Sequence, residues 1–144
     1  VKIESTALQE LYAYWDGKRA KRAMPSRSDI DPLEIPQLLP NLLICDVEPE
    51  SERFKVRLVG TKIVEFYGAD YTGQYLDDLD LGDRRHAVLN AYRDCIRSKQ
   101  PSVKSHMFWN IRGLHFRVER IILPLSDDQV RVNKILAGIS FDSQ

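Results

Sequence analysis

Cysteine, net charge and long apolar runs are all scarce in this 144-residue chain, and each shortage closes off a class of proteins. The two cysteines, Cys45 and Cys95, stand far apart in apolar surroundings. Neither belongs to a CxxC, a CxxCH or a Cys/His spacing of the zinc type, which argues against a disulfide framework, a c-type haem and a zinc finger. The pattern fits two buried, reduced thiols in a cytoplasmic protein. Twenty-one Lys and Arg balance twenty-one Asp and Glu. Nucleic-acid binding draws on surplus positive charge, so no such partner is expected. No run approaches the ~20 apolar residues that cross a bilayer. Val1 to Gln9 lack the basic-then-apolar layout of a secretion signal, so no membrane partner is expected. GxSxG, HExxH, the phosphate-binding P-loop and GxGxxG are all missing, as are internal repeats and low-complexity tracts.

What the chain does have is an ordinary globular supply, 43% apolar and 29% charged, enough for one packed core. Leu8, Leu11, Tyr12 and Trp15 fall at i, i+3, i+4 and i+7, which predicts an amphipathic helix over Thr6 to Trp15. Thr6 and Gln9 have capping-box spacing, and Gly17 is a stop. Residues 17 to 29 carry five cations and read as a solvated loop. Asp31, Pro32 and Glu34 start a short helix that Pro36 and Pro40 confine to a turn or two. Asn41 to Glu48 is an apolar run of strand length. Phe54, Val56 and Leu58 alternate with Lys55 and Arg57, so the two runs form a hairpin. Thr61 caps a short helix, Lys62 to Tyr67, which Gly68 closes, and a helical turn follows near Tyr75 to Leu79. Arg84 to Ser98 is the strongest helix, with Ala87, Val88, Ala91, Tyr92, Cys95 and Ile96 on one face. Val103 to Ile111, Leu114 to Leu123 and Val132 to Phe141 are three further strands. No βαβ repetition is present, so the class is α+β: a five-stranded antiparallel sheet with helices over one face and an N-terminal helical extension.

Two strands, a helical middle and three strands resemble a PAS domain over about residues 42 to 141. PSRSDIDPLEIPQLLP at 25 to 40, RFKVRLVGT at 53 to 61 and YGADYTGQYLDDL at 67 to 79 resemble a bacterial PAS-type family with a helical lead-in. The chain then divides into a lead-in, 1–41, and a PAS-like domain, 42–144. The resemblance implies a small sensory or docking module, often dimeric, with a ligand cleft between sheet and helices and no reaction of its own. A sheet with helices over one face leaves a space between the layers, and the inward candidates for its wall are Phe54, Val56, Tyr67, Tyr75, Tyr92, Trp109, Phe116, Val118, Ile139 and Phe141. A buried tyrosine hydroxyl needs a partner and could orient a small organic ligand. The stripe Leu8, Leu11, Tyr12 and Trp15 lies outside that core. It either covers its own sheet or pairs with a second copy, and the module as a whole is expected to contact a signalling protein partner.

Sharper chemistries fit poorly. A haem held from the long helix needs a cleft-facing His, yet His86 falls roughly 180–200° from the apolar face, beside Asn90, Arg93 and Arg97. A photoactive flavin needs a cysteine ahead of that helix, and residues 62 to 80 have none. The cofactor is therefore left open, with haem and flavin disfavoured. Asp78, Asp80 and Asp83 fail the calcium-loop pattern, with Gly82 and Leu89 where acids belong. The other reading is a small cone-shaped α+β isomerase or dehydratase using Asp46 or His106 as base. The long helix between the second and third strands separates the two readings.

Overall fold

The computed structural model describes residues 2–109 and 112–143, the side chains of Phe108, Trp109 and Ser143 excepted. Three helices, α1 (Thr6–Arg19), α2 (Thr61–Tyr67) and α3 (Arg85–Ser98), accompany five strands. These are β1 (Leu42–Val47), β2 (Phe54–Val59), β3 (Ser102–Trp109), β4 (His115–Leu125) and β5 (Lys134–Ser143). They form one sheet in the order β2-β1-β5-β4-β3, with every neighbouring pair antiparallel. β1 is buried at nearly every position because it lies inside the sheet with a layer on each face, which is why its sequence is apolar apart from Asp46. β2, at the edge, keeps the alternation that marks a half-exposed strand. A register shift between Ile44 and Cys45 lets β1 follow both neighbours.

Successive strand residues face opposite ways, and β4 shows the two layers directly. Ile121 meets Leu8 and Leu11 of α1 above Gly138. Ile122, next along, offers its carbonyl to the Cys95 thiol of α3. So α1 covers one face, while α2, α3 and the turns between them cover the other. Gly138 makes the first layer possible: a Cβ there would stand 2.6 Å from a Leu11 methyl and 2.8 Å from one of Leu8. Leu8, Leu11 and Trp15 join one continuous core with the sheet. The Trp15 indole N–H donates to the Pro124 carbonyl at 2.9 Å. A buried glutamate, Glu119, accepts the Glu4 amide at 2.9 Å and the Ser5 amide at 2.8 Å, tying the start of α1 to β4.

Several local expectations shift. The cap of α1 is Ser5, whose hydroxyl accepts the Leu8 amide; Gln9 reaches back to the Ile3 carbonyl instead of closing a capping box with Thr6. The helix runs through Gly17 to Arg19 and ends at Ala20, at φ 54°, because the buried face supplies what glycine lacks in propensity. The basic segment is not wholly solvated, since Met24 is buried and held by Gln129. Asp31 caps as expected, but the proline-rich stretch forms 3-10 turns at Pro32–Glu34 and Pro36–Asn41. Proline has no N–H to give an α-helical ladder. The cap of α2 is Gly60 rather than Thr61; Gly68 closes it in the left-handed region, at φ 81°. β4 continues through Pro124, where β3 no longer runs beside it and no ladder donor is needed.

Candidate functional site

The inner face of the sheet, beneath α2 and α3, carries a constellation of polar groups set in an apolar wall. Its centre is Arg120 on β4. Phe116, Val118, Arg120 and Ile122 share a face by strand parity. Arg120 therefore points inward, with Ile139 of β5 on one side and Lys104 of β3 on the other. It is 7% exposed. Its guanidinium donates to the Tyr67 hydroxyl at 3.3 Å. Tyr67 is the last residue of α2, steadied by edge-to-face contact with Phe66 at 5.2 Å and with Phe141 at 6.1 Å. His106, on β3, completes the polar wall. Burial, together with the charges of Arg120 and Arg84, pushes its imidazole down to about 4, so the ring is neutral at pH 7.

These groups stand where two spaces meet. An inner notch of about 40 Å³ is walled by Leu43, Ile63, Leu76, Leu79, Tyr92 and Ile139. A second cavity, of about 420 Å³, is walled by Leu81, Val88, Arg84 and His106, with the exposed Asp80 and Asp83 at its rim. Tyr67, Leu81, Val88 and Arg120 belong to both walls. Small-molecule sites run from roughly 300 Å³ upward, so the outer cavity is of ligand size and the notch alone is not.

Of the residues nominated from sequence, Tyr67, Tyr92 and Ile139 come together on these walls. Phe54, Val56 and Val118 share the face but are fully buried and line neither space. Phe54 packs edge-on against Tyr92 at 5.3 Å. Phe116 and Phe141 close around Phe66 at one end of the sheet, at 4.9 and 4.1 Å. Tyr75 is a correction. Gly73 and Gln74 exchange backbone hydrogen bonds with Val56, which sets Tyr75 opposite Lys55, away from the cleft. Its ring lies under the Arg53 guanidinium, and its hydroxyl donates to Glu48. The Trp109 side chain lies outside the described residues. Leu8, Leu11 and Trp15 are spent on the chain's own core, at 0–1% exposure, so in this conformation they present no face to a second copy; Tyr12 is partly exposed.

Sequence reasoning missed Arg120 itself. The signal was present: Glu119 and Arg120 are adjacent charges leading into the apolar end of β4, and their parity sends one to each face. His86 is exposed, on the polar side of α3. Asp46 lies on the α1 face. Burial works to raise it, but hydrogen bonds from Lys134 and Arg57 hold its carboxyl below the usual range. It cannot work with His106, which faces the other way. Among the described residues no group of three or more His, Cys, Asp or Glu is placed to hold a metal ion. No helix among them is long and apolar enough to cross a membrane.

Comparison with known proteins decides the family. The family model described as "PAS domain" matches residues 3–140. The chain belongs to the PAS domain family. Among curated proteins none matches it significantly. Solved structures share the fold at low identity. A light-oxygen-voltage domain studied with a flavin analogue is 14% identical, with a TM-score of 0.59 over 78% of this chain and 84% of that one. VqmA bound to DPO is also 14% identical, with a TM-score of 0.59 over 76% of this chain and 57% of that one. A PAS-B domain of Drosophila melanogaster Cycle with bound glycerol is 8% identical, with a TM-score of 0.52 over 70% and 98%. PAS domains are sensory modules that often bind ligands or mediate interactions.

A flavin that reacts with a thiol does not fit this PAS domain. Its cysteines, Cys45 and Cys95, are buried in β1 and α3. Burial pushes both thiols up, Cys95 to about 12. The notch between sheet and helices is several times too small for a group of that size.

Proposed function

We propose that this PAS domain is a non-enzymatic sensor whose small-molecule site is the cavity beside Tyr67, His106 and Arg120. The observation that carries the reading is the convergence of a buried guanidinium, a phenol and a neutral imidazole on a ligand-sized space beneath α2 and α3. Apolar walls with a few placed polar groups are the general composition of a binding site. The site touches α2, the start of α3 and strands β3 and β4, so occupancy would bias how the helices sit on the sheet. Output then passes by contact with a signalling protein or a second copy. The two buried thiols support a reducing, cytoplasmic setting.

The test is native mass spectrometry of protein purified without additions, followed by thermal melting against a panel of small molecules. A retained mass, or a melting rise that Val88→Trp abolishes, supports the reading. An apo mass with no panel member shifting the melt overturns it.

A further inference from the structure

We propose that the cavity takes a small aliphatic monocarboxylate, its carboxylate paired with Arg120. The inference rests on the ligand-site reading above and names the ligand class. A charge taken out of water is stable only when paired or fully hydrogen-bonded. Arg120 is 7% exposed, yet its one side-chain hydrogen bond among the described residues goes to the Tyr67 hydroxyl, and no carboxylate there lies within ion-pair distance. A guanidinium carries five N–H donors in a planar fork, so most of its capacity is left for an anion. The surrounding elements add positive charge: Lys104 stands directly across on β3, and Arg84 precedes α3. A planar carboxylate accepts two parallel bonds from such a fork.

The rest of the wall narrows the choice. Leu81 and Val88 share both cavity walls with Arg120, and the adjoining notch is lined by Leu43, Ile63 and Leu79, which suits a short hydrocarbon tail. Asp80 and Asp83 at the rim face the same cavity and disfavour a dianion. A phosphate ester is thereby a poorer occupant than a monocarboxylate.

Hexanoate, hexanamide and inorganic phosphate are titrated into the full chain by calorimetry, with Arg120→Met and Arg120→Lys alongside. Methionine fills similar space without charge, so melting of the R120M variant at or above the wild-type temperature shows that it folds. The proposal expects hexanoate to bind in preference to the amide. R120M should weaken it by about ten- to hundredfold, the range of a lost charge-assisted pair, and R120K by less. Equal binding of hexanoate to wild type and R120M overturns the proposal, as does phosphate binding in its place. Binding of the amide alone also overturns it while leaving the ligand-site reading standing. Silence from all three probes, together with an apo native mass, counts against both.

Discussion

Truncating Trp15 to alanine should leave the domain close to unfolding, although the residue lies in the segment that precedes the sheet. The indole is fully buried between α1 and β4, and its N–H is bonded to the Pro124 carbonyl at 2.9 Å. Losing a buried Trp side chain costs ~3–5 kcal/mol in transfer and cavity terms. Leaving a buried carbonyl unpaired adds ~1–3 kcal/mol. Against a total stability of ~5–15 kcal/mol for an ordinary domain, that is a large fraction. Trp15→Phe keeps most of the buried ring but not the donor, and should cost only the smaller, hydrogen-bond share. Urea unfolding followed by far-ultraviolet circular dichroism measures both, since removing the indole compromises fluorescence. If Trp15→Ala shifts the unfolding free energy by less than ~1 kcal/mol, α1 is not part of the cooperative unit, and the assignment of Leu8, Leu11 and Trp15 to the domain's own core is wrong.

Gly60→Ala should lower the melting temperature by about 10 °C, since a Cβ would lie 2.3 Å from the carbonyl oxygens of Leu39 and Pro40, which are backbone and cannot step aside. A melt within two degrees of wild type would refute that contact. Glu119→Gln removes the charge that holds the Glu4 and Ser5 amides; those two amides should then exchange with deuterium about tenfold faster, and unchanged exchange would dissociate the glutamate from α1. His106, held down to about 4 in the folded state against 6.5 unperturbed, binds its proton more readily when unfolded. Its contribution is complete above pH 6.5 and is lost as pH falls toward 4, by ~1 kcal/mol after discounting for solvent. His106→Gln should flatten the stability profile across that window, and an unchanged slope would assign it to other groups.

Much of this was legible in the chain itself, for reasons of periodicity. The face of α3 that carries Val88, Ala91, Tyr92 and Cys95 is the buried face, because a 3.6-residue repeat leaves little choice. The alternation of Phe54 and Val56 marked β2 as a half-buried strand; its place at the sheet edge came from the topology. The turns are spaced as Gly68 and the prolines require. Ile139 faces inward by strand alternation and Tyr92 by the repeat of α3, since both periodicities are local properties of an element.

Position across the sheet is not local. Tyr75 obeys no periodicity of its own; its direction comes from a backbone bridge to Lys55 on another element. Whether the α1 stripe met its own sheet or another chain depended on Gly138, a small residue more than a hundred positions away, where the helix comes close to the strand. Arg120 is the clearest case. The sequence determined that its side chain would share a face with Val118 and Ile122. Only the tertiary structure decided that α2 and α3 would close over that face and bring the Tyr67 phenol within 3.3 Å of the guanidinium. A charge becomes a candidate binding group when the layers around it remove water, and that removal is a property of packing.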